Sequence, residues 1–384
     1  MSTCEIINAD CLEHMRTMPD NSVDAVITDP PYGLAFMGAN WDHNVPNAAY
    51  WSECLRVAKP GAHLLCFGGT RTFHRMACAI EDAGWEIRDC IMWVYGSGFP
   101  KSMDVAKTID KASGYVGEVI GERTVDVGMQ GGHMHAGRKQ QQQQQQVRSL
   151  SPEAKEWEGW GTCLKPAWEP IIVARKPLDG TVVHNVLTWG VGALNIDACR
   201  VSIEQGDDVF AKNPHTRSKG KDSGIYGKYD AMKSDWSGEK GRFPANLVHD
   251  GSQMVLDLFP ETQRADGHTI RRNATHDNVY CGYSGKQPTG TMHRDSGGSA
   301  ARFFYCAKAS KKDRGEGNTH PTVKPTALME WLVKMVTREG QTVLDPFMGS
   351  GSTLVACKRL DRDCVGIERE SEYCDIAQRR LGDA

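Results

Sequence analysis

An apolar, β-branched run, Val23-Asp24-Ala25-Val26-Ile27-Thr28, leads directly into Asp29-Pro30-Pro31-Tyr32. The run has strand length, and the tetrapeptide sits where that buried strand ends and the chain leaves the sheet. A carboxylate, two rigid imino acids and an aromatic ring are thereby placed at a strand's carboxyl end. In open α/β sheets that edge is where ligands bind. Alone, the same four residues are equally well explained as a tight turn, because Asp-Pro and Pro-Pro both favour turns. The segments on either side decide.

Those segments alternate strand and helix. Glu5–Asn8 reads as a strand ending at Ala9-Asp10-Cys11, followed by helical spacing from Leu12 to Met18. Trp51–Val57 reads as an amphipathic helix stopped by Lys59-Pro60-Gly61, His63–Phe67 as a strand, Phe73–Ala83 as a helix and Asp89–Tyr95 as a strand. This rhythm predicts a parallel, doubly wound sheet. It breaks after Pro100. Residues 101–165 are glycine-rich and polar and carry the tract Gln140–Gln146, which reads as a mobile loop. Glu169–Arg175 is again a strand; with little helix before it, it is expected to pair antiparallel with Ile91–Tyr95.

Residues 178–301 are the least regular. Basic residues there are mixed with Trp189, Tyr226, Tyr229, Trp236, Phe243 and Tyr283, which suits a nucleic-acid surface or an ordinary insertion with its own small core. Order returns at Arg302–Lys308, read as a strand. Thr326 is expected to cap a helix running to about Arg338, closed by Gly340. Thr342–Asp345 is a strand, a turn leads to a helix near Thr353, Cys364–Glu368 is a strand and Ser371–Leu381 a helix. One α/β domain is therefore expected from residues 1–100 and 302–384, completed by the strand near 169–176, with insertions at 101–165 and 178–301.

Composition narrows the setting. No apolar run approaches the ~20 residues needed to span a bilayer, and the N-terminus lacks a basic-then-apolar leader, so no membrane association and a cytoplasmic location are expected. The 13 cysteines include no C-x-x-C pair, so no zinc site is expected. His133 and His135 read as part of a glycine loop rather than metal ligands. A net charge of −3 argues against a purely electrostatic nucleic-acid binder. Residues 101–320 carry 30 Lys and Arg against 26 Asp and Glu, so the middle is mildly basic and the flanks acidic.

The C-terminal quarter holds a second chemical motif. A strand, a glycine turn, a helix and a strand ending in Glu368 form the mononucleotide-binding half of a Rossmann-like sheet. Gly349 and Gly351 let the backbone approach a ligand closely. Glu368 could accept hydrogen bonds from two ribose hydroxyls, and Asp345 could face an amine. The spacing matches neither the dinucleotide fingerprint nor a P-loop.

Asp345-Pro346-Phe347-Met348-Gly349-Ser350-Gly351 resembles the D-P-F-x-G-S-G motif of S-adenosylmethionine-dependent DNA amino-methyltransferases, and Asp29-Pro30-Pro31-Tyr32 resembles their catalytic D-P-P-Y. His320-Pro321-Thr322-Val323-Lys324-Pro325 is similar to the H-P-T-x-K-P segment before their cofactor motif. Catalytic motif first and cofactor motif last resembles the circularly permuted order of the beta class, and there is a general likeness to members carried by phages and prophages. The resemblance covers residues 5–100, 169–176 and 302–381 and is weak over most of 101–300, where the family carries its target-recognition region.

The resemblance implies S-adenosylmethionine as cofactor and double-stranded DNA as partner, with methyl transfer to a flipped-out base. Asp29 and the Pro30 carbonyl would hold the target amine, Pro31 would stiffen the turn and Tyr32 would stack on the base. Asp345, Pro346, Phe347, Gly349, Ser350 and Gly351 would hold the methionine end, Thr322 and Lys324 would line that side, Glu368 would bind the ribose, and Asp10 with Cys11 would face the adenine. Asp10 also reads as a plain helix cap and Lys324 as a surface charge. D-P-P-Y in this family implies adenine N6, with cytosine N4, an RNA or protein substrate, and an inactive DNA-binding remnant as the other readings. Monomer and homodimer are both left open.

Overall fold

The computed structural model describes residues 2–34, 44–98, 102–115, 118–127, 140–148, 151–203, 241–262, 269–270, 290–291, 297–308 and 313–384. His133, His135, Tyr226, Tyr229, Trp236 and Tyr283 lie outside them. The chain divides into two compact units. The first comprises Met1–Leu194, Asn246–Ser252 and Ala307–Ala384; the second comprises Asn195–Ala245 and Gln253–Cys306.

The first unit is an α/β sheet of eight strands. In chain order its elements are β1 (Cys4–Asn8), α1 (Cys11–Met15), β2 (Val23–Thr28), α2 (Ala48–Val57), β3 (Ala58–Phe67), α3 (Phe73–Asp82), β4 (Glu86–Val94) and α4 (Val105–Ser113). There follow a separate hairpin of β5 (Glu118–Val127) and β6 (Gln140–Arg148), then α5 (Pro152–Glu156), β7 (Trp168–Arg175), α6 (Val182–Trp189) and β8 (Leu247–His249). The C-terminal part supplies α7 (Thr326–Val336), β9 (Thr342–Asp345), α8 (Ser352–Arg359), β10 (Asp363–Glu368) and α9 (Ser371–Gly382). The strand order is β1-β10-β9-β2-β3-β7-β4-β8. All neighbours are parallel except β7, which runs antiparallel to both β3 and β4.

All six residues of β2 are buried, as a central strand covered on both faces requires. One cover is α2, whose Trp51, Cys54 and Val57 recur at helical spacing and are fully buried. Burying an aromatic side chain of that size contributes about 2–3 kcal/mol, and the Trp51 indole N–H keeps a partner in the Pro46 carbonyl at 3.1 Å. α3 adds Met76 and Ile80, one turn apart. α7 is apolar almost all round and buries Leu328, Met329, Trp331, Leu332, Val333, Met335 and Val336.

Several boundaries differ from expectation, each for a local reason. β3 starts at Ala58, and its register with β2 slips between Val23 and Ala25; this irregularity accommodates Pro60, which has no N–H for the ladder. The glutamine tract, expected as a mobile loop, lies in β6, which pairs antiparallel with β5. Arg302–Lys308 is not one strand: Ala300–Phe303 is a 3-10 turn and only Tyr305–Cys306 forms a strand. Thr326 does not cap α7. It is the first helical residue, after Pro325, whose missing N–H suits a helix start. The same helix stops at Val336, where the Thr337 hydroxyl donates to the Val333 carbonyl at 2.7 Å. Gly340, at φ +74°, instead turns the chain into β9. Residues 178–194 belong to the first unit, where the buried Asn185 amide donates to the Pro60 and Val191 carbonyls at 2.9 and 2.8 Å.

Candidate active site

Four parallel strands, β1, β10, β9 and β2, end side by side, and each end carries an acid. Asp10 follows β1, Glu368 ends β10, Asp345 ends β9 and Asp29 follows β2. The antiparallel β7 adds a fifth. Because it runs the other way, its beginning lies at this edge, opposite the end of β3, and its second residue is Glu169. A cleft of about 1240 Å3 runs along the edge and is lined by all five carboxylates and by Tyr32, Tyr95, Phe347 and Lys324.

Asp345 ties the two motifs together. It is buried, with Oδ1 accepting from the Thr28 hydroxyl at 2.7 Å and from the Phe347 N–H at 3.2 Å, and Oδ2 accepting from the Thr353 hydroxyl at 2.5 Å. Burial pushes this carboxyl up to about 7, while those three donors pull the other way. Thr28 is the last residue of β2, so its hydroxyl links the strand that delivers Asp29 to the strand that delivers the glycine turn.

The turn itself is built for close approach. Gly349 and Gly351 have φ of +52° and +80°, the left-handed region. A Cβ on Gly349 would fall 2.9 Å from the His320 ring, and one on Gly351 would fall 2.8 Å from the Ala377 Cβ. The Glu368 carboxylate accepts from the Gly349 N–H at 3.0 Å and from the Glu370 N–H at 2.8 Å, so it is fixed at the rim of the turn. Burial raises it above the usual carboxylate range against those two donors. Phe347 packs on Tyr50 and Trp51, ring centroids 5.9 and 6.3 Å away. Pro346 and Ser350 complete the lining.

On the other side, the Tyr32 hydroxyl donates to Asp29 Oδ1 at 2.6 Å. Lys324 Nζ lies 2.9 Å from Asp29 Oδ2 and 2.9 Å from Glu169 Oε2 and donates to the Tyr32 oxygen at 3.2 Å. Burial works against its charge, but the Asp29 and Glu169 carboxylates outweigh burial and hold the ammonium above its ordinary value. Burial first, then the same two carboxylates, raise the Tyr32 phenol and keep it neutral. Pro30 is buried and Pro31 half-buried at the same turn.

The remaining expected residues are distributed as follows. Asp10 caps α1, its Oδ1 accepting from the Leu12 and Glu13 N–H groups at 3.0 and 3.2 Å, and it also lines the cleft. Cys11 is buried beside it, its thiol pushed up to about 12 by burial and by the Asp10 charge. Thr322 is exposed, and its carbonyl pairs with His320 Nδ1. Lys324, expected near the glycine turn, is on the Asp29 side of the cleft and is no surface charge.

Sequence reading missed two residues. Glu169 carried a signal: once β7 is read as antiparallel, its first residues must lie at the edge where the parallel strands end. Arg380, in α9, is buried with one guanidinium nitrogen on the Ser350 carbonyl at 2.5 Å and on the Ser350 and Ser352 hydroxyls at 3.1 and 3.2 Å. A second nitrogen holds the Asp313 carbonyl at 2.7 Å. It buttresses the glycine turn from behind, and nothing in the local pattern of a polar C-terminal helix announces it.

An acid-lined cleft with a backbone cradle can hold a ligand that is cationic and carries hydroxyls. The Asp29 carboxylate can accept a hydrogen from an amine, since each of its oxygens has a second lone pair.

A family model described as DNA methylase, of the N6/N4 type, matches residues 23–379. The type II methyltransferase M.HindIII of Haemophilus influenzae is 21% identical across 98% of this chain and 94% of its own. The type II methyltransferase M2.DpnII of Streptococcus pneumoniae is 42% identical over 84 residues, 22% of this chain and 31% of its own. Among solved structures, the M1.HpyAVI–SAM complex covers 99% of both chains at 17% identity with a TM-score of 0.42. Among the described residues no helix is long and apolar enough to cross a membrane.

Proposed function

The chain belongs to the N6/N4 DNA methylase family, and from that premise we propose that it methylates the exocyclic N6 amine of adenine in double-stranded DNA. S-adenosylmethionine is the methyl donor, and when bound it supplies an electrophilic methyl group on a sulfonium centre. The residues present fit that group: the cleft is acidic where a sulfonium and an ammonium are cationic, and Gly349 and Gly351 let the turn that lines it pack tightly against His320 and Ala377. Asp345 and the Phe347–Gly351 turn would hold the methionine end, Glu368 the ribose hydroxyls, and Asp10 with Cys11 the adenine.

The chain's own task is to make a poor nucleophile react. An exocyclic amine delocalises its lone pair into the ring. Asp29 accepts one of its hydrogens and the Pro30 carbonyl accepts the other, which localises the lone pair on nitrogen for in-line attack. The rings of Pro30 and Pro31 fix the backbone that presents this carbonyl. Tyr32 offers its ring to a base drawn out of the duplex while its hydroxyl stays on Asp29. Nitrogen gains the methyl and the positive charge that sulfur loses, and the surplus amine proton then leaves to water.

The observation that carries the reading is the 2.7 Å bond from Thr28 to Asp345, which ties the end of the amine-holding strand to the base of the glycine turn in one cleft. Residues 178–301, where basic side chains are interleaved with aromatics, are the natural target-reading region, and the catalytic-then-cofactor motif order supports a beta-class assignment. The test incubates the protein with labelled S-adenosylmethionine and unmethylated DNA and digests the product to nucleosides. N6-methyladenine is expected, and N4-methylcytosine would move the assignment to the other amine. Asp29→Ala should lower transfer at least about a hundredfold with cofactor binding nearly intact in calorimetry; a variant that still methylates refutes the role given to Asp29.

A further inference from the structure

We propose that Glu169 is a positioning residue for methyl transfer, acting through Lys324 to keep the Asp29 carboxylate oriented and its surroundings net negative. The inference rests on the methylase reading and extends it to a residue outside the two motifs.

The geometry has three parts. Lys324 Nζ sits midway between two carboxylates, 2.9 Å from Asp29 Oδ2 and 2.9 Å from Glu169 Oε2. Its side chain is 8% exposed. The ammonium is also faced by rings, with the Phe67, Tyr32 and Trp93 centroids at 4.8, 5.5 and 6.0 Å, so it has little room to move. The third part is the Tyr32 hydroxyl, 2.6 Å from Asp29 Oδ1 and 3.2 Å from Glu169 Oε2. Both carboxylates therefore share both donors.

Charge then explains why a second carboxylate is needed. Asp29, Glu169 and Lys324 together carry −1. The transfer step brings a positive charge from sulfur to nitrogen next to Asp29, and a net negative cluster favours that movement in a low-dielectric cleft. With Glu169 neutral, the same three positions sum to zero. Lys324 would then direct its charge at Asp29 alone and compete with the target amine for its lone pairs. The reversed direction of β7 is what makes the arrangement possible, since it delivers Glu169 to the edge from the start of a strand.

The test compares kcat for wild type, Glu169→Gln, Lys324→Met and the double variant, on the DNA that the wild type methylates. Glu169→Gln should lower kcat about a hundredfold, the scale of a misplaced reacting group, with the KM for S-adenosylmethionine changed little. The double variant restores a net charge of −1 through Asp29 alone, so it should be faster than Glu169→Gln. Replacing a buried ion pair by apolar groups is compatible with folding, and thermal melts check it. A purely structural role predicts the opposite order, with the double variant slowest. Wild-type kcat in Glu169→Gln, or a double variant no faster than it, overturns the proposal. The solvent exchange of the Lys324 ammonium hydrogens in lysine-labelled protein, assigned by loss of the signal in Lys324→Met, is read by NMR at neutral pH and needs no activity. Glu169→Gln removes one of the two carboxylate acceptors and should speed that exchange, and an unchanged rate also overturns the proposal. A wild type that binds cofactor yet methylates no DNA would instead count against the methylase reading, and the NMR result would still decide the cluster.

Discussion

The carboxyl of Asp345 makes a quantitative demand on stability. It is buried under Thr28, Thr353 and the Phe347 N–H, and it is pushed from 3.8 to about 7. At about 1.36 kcal/mol for each pH step, ionising it inside the folded chain costs about 4 kcal/mol more than in the unfolded chain. The sign follows from the raised value. The folded state holds this proton more tightly, so the contribution is fully present below 3.8 and is lost as pH rises through about 7. Roughly 2 kcal/mol of that loss falls between about pH 5 and about pH 7. Asp345→Asn removes the titration while keeping size, and the two threonine hydroxyls can turn to serve an amide. Urea unfolding of both proteins at about pH 5, 6, 7 and 8 isolates the term, because every other titrating group cancels in the difference. The variant should be the less stable protein, or near equal, in acid, and should gain on the wild type by roughly 2 kcal/mol by neutral pH. A difference independent of pH would refute the reasoning and show that the three donors hold Asp345 ionised.

Gly351→Ala forces a left-handed alanine and puts a Cβ 2.8 Å from the Ala377 Cβ; strain and overpacking together should cost about 2–5 kcal/mol, seen as a lower denaturation midpoint and weaker cofactor binding in calorimetry. Arg380→Gln strips the turn of its buttress at Ser350 and Ser352, and leaving one buried carbonyl unsatisfied at about 1–3 kcal/mol should weaken cofactor binding about tenfold without changing which base is modified. Thr28→Val removes the 2.7 Å link to Asp345; it should destabilise the protein by about 1–3 kcal/mol in chemical denaturation and lower methyl transfer together with cofactor affinity.

What the sequence revealed follows from how far each signal reaches. β2 and β9 were legible because a continuous apolar run ending in Asp-Pro is a local pattern, and burial of every residue in β2 matches it. The antiparallel direction of β7 was legible from the missing helix before it. That direction also places Glu169 at the edge, but its role was not legible, because it depends on Asp29 and Lys324, which meet it only through folding. Lys324 read as lining the methionine side for the same reason: its neighbours in sequence are Val323 and Pro325, and its partners are not. Thr326 failed as a cap since a capping side chain must precede the first helical turn, and Pro325 already occupies that place. The glutamine tract misled because composition describes side chains, while a ladder is made by the backbone.

The reversal of β7 also bears on how such a chain can change over generations. Val94 and Trp168 are ladder partners, Tyr95 donates its N–H to the Ala167 carbonyl at 2.9 Å, and Lys165 reaches the Gly96 carbonyl at 2.6 Å. The long excursion between β4 and β7 thus leaves and re-enters the sheet through one clasped neck. Closing a loop twice as long adds only about 0.6 kcal/mol. Segments can therefore be gained, lost or exchanged beyond that neck at little thermodynamic penalty, while the ladder below it keeps Glu169 in register. The neck is a natural splice point, for evolution and for grafting alike.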